Sequence, residues 1–411
     1  MKKKITVAAL IWILGAGPAF ASGYRVPEQS TNAVALSSAC VANTPGADAG
    51  YYNPANMSWL EDGWHSDLSF TWLKLASIDY ADKTDSSRND GSRTENFILP
   101  QFHLVSPRYN NFRFGLSVVY PFGLSQRRES PFPRMTAEEF TLQTYEINPS
   151  LAYQVNSQLA LAAGVRAIYS TGRVKSSDTL GYLAFATRDL EGTGLDYGYN
   201  LAVTYKPISN LSLAATYRSK INLKLTGEAT LGIGGATVYS NRDAEVMVPA
   251  PAVLSLAAAY TFNKTTVEFA YDKTYWNAYD KLDFNYAVSL LSIDPNLYNL
   301  FDAPVAKNWS NSEAFHLGLT HRLNRDWTIM AGFALDQTPI PDQTLGFELP
   351  DSKAIVYSLG ARYQLNDRLQ IGAAYMYSDK ESRTVTNAGG IDGTFTNAAA
   401  QLLNIGLQYR F

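Results

Sequence analysis

The chain has 411 residues, a formal net charge of -3 at neutral pH and one cysteine. The near balance of charge predicts no nucleic-acid partner, and a lone cysteine excludes an intrachain disulfide. Beyond residue 21, no uninterrupted apolar stretch reaches the roughly 20 residues that a spanning helix needs, which excludes a helical membrane protein as the mature product.

The first 21 residues have the pattern of a secretory signal peptide. Three lysines at 2–4 precede an apolar run over residues 5–16, and the small-x-small sequence Ala-Phe-Ala follows at 19–21. The apolar run, about 12 residues long, is too short for a membrane anchor. Cys40 lies well downstream, so a lipid-modified N-terminal cysteine is not predicted. We expect cleavage after residue 21 and export of the mature chain.

Residues 22–62 form a segment that is rich in small residues and lacks strand alternation. Asn53-Pro54 marks a turn within it, because the residue before proline is disfavoured in helical conformation. Apolar side chains are spread through the segment: Val34, Leu36, Val41, Tyr51, Tyr52, Met57 and Trp59. A compact plug and a flexible periplasmic tail are both compatible with this composition, and the apolar residues favour the plug.

Residues 63–411 alternate between apolar and polar side chains with the period of two that is typical of β-strands. Tight polar turns recur at one end of the clearest hairpins, while the segments that join successive hairpins are longer. This asymmetry is typical of outer-membrane barrels. About fourteen strands are predicted, near residues 64–78, 94–106, 111–121, 140–155, 158–173, 192–207, 210–229, 246–262, 265–286, 308–323, 326–338, 352–365, 368–382 and 401–411.

The terminal segment suggests how such a barrel would close. Leu403, Ile405 and Leu407 alternate with polar or small residues up to the aromatic Phe411, so one face suits lipid and the other the interior. We expect this strand to be paired, since an open edge is excluded from a bilayer. Tyr and Trp near strand ends are expected at the membrane interfaces: Tyr153, Tyr169, Tyr205, Tyr260, Tyr271, Trp276, Trp309, Trp327, Tyr363 and Tyr409.

Several motifs occur in an order that resembles the FadL-type outer-membrane transporters, which are uptake channels for long-chain fatty acids and aromatic hydrocarbons. The motifs are Gly23-Tyr24, Asn53-Pro54-Ala55, Pro121-Phe122-Gly123-Leu124, Asn148-Pro149-Ser150-Leu151-Ala152-Tyr153, Tyr217-Arg218-Ser219-Lys220 and the terminal strand. Each motif is weak alone, but six in order are specific, and the resemblance covers essentially the whole mature chain.

The resemblance implies a fourteen-stranded barrel, residues 63–411, plugged by an N-terminal hatch, residues 22–62, in which Asn53, Pro54 and Ala55 match the hatch motif. It also implies a low-affinity groove among extracellular loops and a high-affinity pocket inside. A kink in the third strand would release ligand sideways into the membrane, here at Gly115 and Pro121-Phe122-Gly123. Glycine and proline are compatible with a distorted strand. The apolar loop 285–301 would serve either loop packing or ligand capture.

Alternation places several cations on the lumen side: Arg166, Arg218, Lys220, Arg322 and Arg362. In a poorly hydrated pocket a cation would hold a carboxylate by a charge-assisted hydrogen bond, so the candidate ligand-binding residues are Arg166, Arg218, Lys220 and Arg362. The alternative is that the cations pair with inward Glu268, Asp272 and Asp336 and only stabilise the lumen.

Catalysis is not predicted. His65, His103, His316 and His321 show neither metal-ligand spacing nor a triad, so we expect no metal, cofactor or catalytic residue. The sequence therefore predicts a monomeric uptake channel in the outer membrane of a Gram-negative bacterium, with a hydrophobic small molecule and outer-membrane lipid as partners. Long-chain fatty acids are the favoured cargo; aromatic hydrocarbons and a general diffusion porin are the alternatives.

Overall fold

The computed structural model describes residues 23–178 and 186–411. The expected signal peptide, residues 1–21, lies outside the described residues. Within them, fourteen antiparallel strands form one closed barrel, which confirms the predicted all-β fold. The strands are β1 His65–Leu75, β2 Glu95–Val105, β3 in two segments Phe112–Val119 and Gly123–Arg127, β4 Glu139–Gln154, β5 Leu159–Asp178, β6 Ala186–Ile208, β7 in two segments Leu211–Arg218 and Ile221–Ile233, β8 in two segments Ala236–Ala250 and Val253–Phe262, β9 Thr265–Thr274, β10 Ser312–Arg322, β11 Trp327–Asp336, β12 Ala354–Gln364, β13 Leu369–Lys380 and β14 Ala399–Arg410.

The barrel closes where its first and last strands meet. β14 pairs with β1 on one side and with β13 on the other, so the terminal strand has no free edge. Ile405 is 60% exposed on the outer wall, whereas its neighbour Asn404 is fully buried inside. The alternation predicted for the terminal strand is confirmed.

The two ends of the barrel differ in the length of their connections. Turns at one end are short and span residues 155–158, 209–210, 263–264, 323–326 and 365–368, whereas the other end carries loops such as 275–311 and 337–353. β5 has 20 residues and β6 has 23, more than the 9–11 or so that span a bilayer. These strands therefore project beyond the membrane on the long-loop side.

The N-terminal segment packs inside the barrel. It contains the helices α1 Thr31–Ala35 and α2 Ala49–Tyr52 and the 3-10 helix Pro54–Trp59. Val34 and Leu36 pack with Met330 and Val356 of the wall, and Met57 packs with Ala152. This buried packing confirms a plug rather than a flexible tail. No helix in the described ranges has the length and apolarity to cross a membrane.

The long loops pack on one another above the barrel. Four short strands from the first and last loops form a sheet: Asp79–Asp82, Asp90–Gly91, Arg383–Thr386 and Asp392–Thr396. The Tyr80 ring lies 5.0 Å from Phe347 and 4.9 Å from Phe395. Helix α3, Pro131–Ala137, adds Phe132 at 5.5 Å from Phe347.

The apolar loop 275–311 divides between buried and exposed side chains. It contains a short helix α4, Pro295–Leu297. Leu290, Leu297 and Phe301 are buried, whereas Leu291 and Val288 are about half exposed. Part of its apolar surface therefore packs against other loops, and part faces the exterior.

Several predicted strand boundaries differ from the structure. β6 begins at Ala186 and β8 at Ala236, earlier than expected, because both strands continue pairing above the membrane. β9 ends at Thr274 instead of near 286. From there the chain turns inward and buries Trp276.

A break in β7 reverses which residues face the lumen. Before it, Thr216 is buried and Arg218 is partly buried; after it, Ile221 and Leu223 are buried. The inward positions thus change from even to odd numbers, as happens when a bulge inserts a residue. Lys220 lies at the break and is exposed. The predicted lumen-facing orientation of Lys220 is therefore wrong.

Candidate functional site

The wall of the barrel is interrupted at β3. The first segment pairs with β2 from Phe102↔Val118 to Val105↔Gly115, but the second segment pairs only with β4 among the described strands. Pro121 lies between the segments and has no N–H to donate to a neighbour. The upper part of β2 and the second segment of β3 therefore leave a window in the wall.

The start of the hatch supplies the hydrogen bonds that the window lacks. The N–H of Val26 donates to the Pro121 carbonyl at 2.9 Å, and the N–H of Gly123 donates to the Tyr24 carbonyl at 2.9 Å. The Tyr120 N–H donates to the side-chain oxygen of Gln29 at 2.7 Å. Residues 24–29 thus lie along the inner side of the window, and we call them the N-terminal strap.

A cavity of about 360 Å³ lies at the window, and we call it the lateral cavity. Its walls are mainly apolar, with Leu73, Phe122 and Leu402 among its lining residues. At its rim Ile98 is 63% exposed. The lining of the lateral cavity therefore includes both buried residues and a residue exposed on the outer surface.

A second, narrower apolar cavity of about 70 Å³ lies under the long loops, and we call it the upper cavity. Leu190, Leu225 and Phe284 line it. Leu124 and Leu142 border both cavities, so only a thin layer of side chains separates them.

Tyr24 of the strap is at the centre of an aromatic cluster in this layer. Its ring lies 4.5 Å from Trp276, 5.7 Å from Trp309 and 6.3 Å from Phe122. Its hydroxyl donates to the Pro249 carbonyl. The expected placement of Trp276 and Trp309 at a membrane interface is wrong: they are 0% and 6% exposed, because the chain turns inward after β9.

The motif Asn53-Pro54-Ala55 anchors the hatch to the wall. The Asn53 amide donates to the Val41 carbonyl and to the Thr204 hydroxyl of β6, both at 2.7 Å, while its oxygen accepts from the Ala55 N–H at 3.1 Å. Pro54 occupies the first turn of the 3-10 helix that Asn53 caps, a position where a missing N–H is tolerated.

Two of the predicted lumen cations meet at one carboxylate. Glu146 of β4 accepts from Arg166 at 2.8 Å and also from Arg218. Arg166 and Glu146 are buried, and the Arg218 guanidinium lies 4.2 Å from the centre of the Tyr51 ring in the hatch. One carboxylate thus holds two guanidinium groups, and the cluster keeps one positive charge in excess.

The remaining cations lie elsewhere. Arg362 donates to the hatch residue Asn32 at 2.7 Å and to Asp67 at 3.4 Å. It borders a cavity of about 1100 Å³ at the short-turn end, whose rim includes the exposed Arg322. The five predicted cations therefore do not form one site.

The expected carboxylate partners have separate roles. Glu268 accepts three backbone N–H groups of the hatch, from Val41, Ala42 and Asn43, at 2.6, 2.7 and 2.9 Å. Asp272 pairs with Arg25 of the strap at 2.8 Å. Both carboxylates therefore tie the hatch to β9.

Among the residues predicted for the lateral opening, Gly115 differs from the others. Pro121, Phe122 and Gly123 lie at the window, whereas Gly115 is in the paired half of β3. A Cβ at Gly115 would come within 2.6 Å of the Met57 sulfur. The absence of a side chain there makes room for the hatch.

One buried ion pair borders the upper cavity. Lys307 donates to Glu348, and both side chains are mostly buried. Burial alone would raise the pKa of the Glu348 carboxyl, but the Lys307 ammonium outweighs burial and holds this pKa below its usual value. We find no cluster of metal-ligating side chains in the described ranges.

A closed barrel with a hatch in its lumen and a window leading to an apolar cavity defines a plugged transmembrane channel. The chain belongs to the outer membrane protein transport protein family (OMPP1/FadL/TodX), whose model matches residues 12–411. It is thus an outer-membrane β-barrel of Gram-negative bacteria that transports hydrophobic compounds, and the family is one of transporters, not enzymes. The predicted family, location and non-enzymatic class are confirmed.

Individual relatives are distant in sequence. The chain is 22% identical to outer membrane protein P1 of Haemophilus influenzae, with 76% of this chain and 75% of the relative covered. It is 20% identical to a long-chain fatty acid transport protein of Escherichia coli, with 81% of each covered. A Pseudomonas aeruginosa FadL homologue has a similar structure, with a TM-score of 0.83 and 21% sequence identity. The match covers 95% of this chain and 100% of the homologue. The Ralstonia pickettii toluene transporter TbuX is also similar in structure. Its TM-score is 0.69 and its sequence identity 19%, and the match covers 93% of this chain and 98% of TbuX.

Proposed function

We propose that this channel takes up hydrophobic molecules from its long-loop side and releases them sideways into the membrane through the window at β3. The observation that carries the proposal is the unpaired stretch between β2 and the second segment of β3, with the lateral cavity behind it. An apolar molecule that leaves there never crosses water, which is the step that would cost most.

The strap is the gate in this proposal. It separates the upper from the lateral cavity with Tyr24 and is held by the Arg25–Asp272 pair and by four hydrogen bonds to residues 120–123. A molecule in the upper cavity reaches the window only if the strap moves. Asn53, Pro54 and Ala55 keep the rest of the hatch in place while it does so.

The nature of the cargo is a finer question. The relatives include a long-chain fatty acid transport protein and a toluene transporter, so the predicted preference for fatty acids stays a prediction. Arg166 and Arg218 already share Glu146, so a ligand carboxylate would compete with it for their hydrogen bonds. A general diffusion porin is disfavoured because the hatch occupies the lumen. The monomeric state also remains a prediction.

Closing the window tests the route. Gly123→Trp places a large ring at the window, and we expect it to abolish uptake of a labelled hydrophobic molecule by cells while the purified protein still binds that molecule. Gly123→Ala is the matched control, since its Cβ would have ordinary contacts, the nearest at 3.9 Å. Uptake by Gly123→Trp at the wild-type rate would contradict lateral release.

A further inference from the structure

We propose that the cargo is uncharged and carries a hydrogen-bond-accepting oxygen, as an alcohol, ketone or ester does, and that the Trp309 indole N–H donates to this oxygen. The inference rests on the proposed function, because it uses the same passage between the two cavities. It is carried by the state of the charges along this passage and by two buried donors without acceptors.

The charges along the passage are already neutralised. Every lysine and arginine that borders either cavity in the described part of the chain has a carboxylate within ion-pair distance. The pairs at the upper cavity are Lys307–Glu348 and Arg173–Asp189, and those at the lateral cavity are Arg25–Asp272, Arg93–Glu129 and Lys380–Asp351.

A carboxylate ligand would have to break one of these pairs. If it took Arg25, it would leave Asp272, which is 4% exposed, without its guanidinium. If it bound Lys307, it would leave the mostly buried Glu348 without its ammonium partner. Removing one partner of a buried pair is strongly unfavourable because the other charge stays buried and uncompensated. An acid therefore gains little from these cations, whereas an uncharged molecule disturbs none of them.

The free hydrogen-bonding capacity of the passage lies in neutral donors. The indole nitrogens of Trp276 and Trp309 are buried and have no acceptor in the described structure. Tyr24, which contacts both rings, already donates its hydroxyl to Pro249. An indole N–H can only donate, and a buried donor without an acceptor is unfavourable. A ligand oxygen that accepts this hydrogen bond removes that cost.

The position of Trp309 makes it the better placed of the two donors. It borders the upper cavity, whereas Trp276 lies behind it with ring centres 5.0 Å apart. Trp309 also contacts Tyr24 of the strap. Recognition of the oxygen would therefore occur beside the gate, immediately before the molecule enters the lateral cavity.

The test compares ligands of equal chain length on the purified full-length protein. We would titrate decanol, methyl decanoate, decyl chloride and decanoate at pH 8, where the acid is ionised, and follow binding by calorimetry. We expect decanol and methyl decanoate to bind at least about tenfold more tightly than decanoate. Trp309→Phe should weaken decanol binding about tenfold, the factor of one hydrogen bond, and leave decyl chloride binding unchanged.

A control variant and the wild-type order of affinities keep the test decisive. Trp327→Phe removes an indole from the lipid-facing surface, where Trp327 is 43% exposed, and should alter no affinity. If Trp309→Phe does not fold, the wild-type order of affinities still decides, and tightest binding of decanoate would overturn the inference while leaving the route intact. Equal weakening of decanol and decyl chloride by Trp309→Phe would also overturn it. Binding of none of the four ligands would count against the proposed function itself.

Discussion

At the scale of single residues, the interior of this barrel is governed by a few carboxylates that each hold several groups. Glu146 is the clearest case, since Arg166 and Arg218 both depend on it. In Glu146→Gln the buried Arg166 and the partly buried Arg218 would lose their counter-charge. We expect a loss of about 3–5 kcal/mol in folding free energy, measured as a lower temperature of barrel unfolding by gel mobility.

The control for this variant is a partly exposed ion pair between β5 and β6. Arg173 and Asp189 are about two-fifths exposed, and exposed pairs contribute at most about 1 kcal/mol. Arg173→Gln should therefore unfold close to the wild-type temperature. If Glu146→Gln also unfolded there, the cluster would contribute no more than a surface pair.

Glu348 predicts how the stability of the long loops depends on pH. Its pKa is lowered in the folded state, so its contribution to stability is complete above the unfolded pKa, near 4.5, and is lost as the pH falls through the lowered value. We expect the unfolding temperature to fall between pH 5 and about 3 in the wild type, and Glu348→Gln to flatten that dependence.

An exposed carboxylate in another long loop provides the comparison. Glu381 is exposed, and Glu381→Gln should keep the wild-type pH dependence. An unchanged slope in Glu348→Gln, with the same acid sensitivity as the wild type, would show that the Lys307 pair does not control the loops at low pH.

At the scale of elements, two glycines of β3 that look alike in the sequence have different tasks. A Cβ at Gly115 would lie 2.6 Å from the Met57 sulfur and from the Ser150 hydroxyl, whereas at Gly123 the nearest atom is 3.9 Å away. Gly115→Ala should cost about 1–3 kcal/mol as overpacking and make the hatch accessible to protease. Gly123→Ala should be tolerated, and similar protease patterns for both variants would argue against the hatch contact.

Most strands could be predicted from the sequence because the alternation of apolar and polar residues along each strand shows which face is lipid-facing and which is inward. Alternation in residues 402–411 is a local property, and the structure confirms it. The orientation of Lys220 could not be obtained in this way, since one extra residue in β7 exchanges inside and outside for the rest of that strand. A sequence motif such as Tyr217-Arg218-Ser219-Lys220 does not reveal a bulge.

The contacts of the site were harder to predict, because the partners come from distant parts of the chain. Pro121 indicated a distorted strand, but the strap that fills the distortion begins nearly one hundred positions earlier, at Tyr24. Glu146 was not among the predicted carboxylates, although it lies on the strand next to Arg166. Trp276 and Trp309 lie near predicted strand ends and were therefore expected at the membrane interface. Their inward orientation depends on packing against Tyr24 of the hatch, which the local sequence does not show.

At the scale of the whole molecule, the channel is a barrel closed by a plug that is held through both apolar and polar contacts. The wall is a ladder of backbone hydrogen bonds that is interrupted at β3, whereas the hatch is tied down by Asn53, by Arg362 and by the carboxylates Glu268 and Asp272. Such ties can be exchanged without unfolding the barrel. In the proposed route the strap is the part of the hatch that moves while the membrane-spanning structure stays intact.

Glu268 offers the sharpest test of this division. It accepts three consecutive hatch N–H groups, and each donor left without an acceptor costs about 1–3 kcal/mol. In Glu268→Ala this cost destabilises the closed state, in which the hatch is seated in the lumen, but not the barrel wall. We therefore expect frequent channel openings in planar bilayers and an unchanged unfolding temperature of the barrel. Glu313→Ala, which removes an acceptor of the Tyr271 hydroxyl on the outer face, should stay as closed as the wild type. Equal conductance in the two variants would mean that the hatch does not depend on this carboxylate, and a lowered unfolding temperature in Glu268→Ala would mean that hatch and wall unfold as one unit.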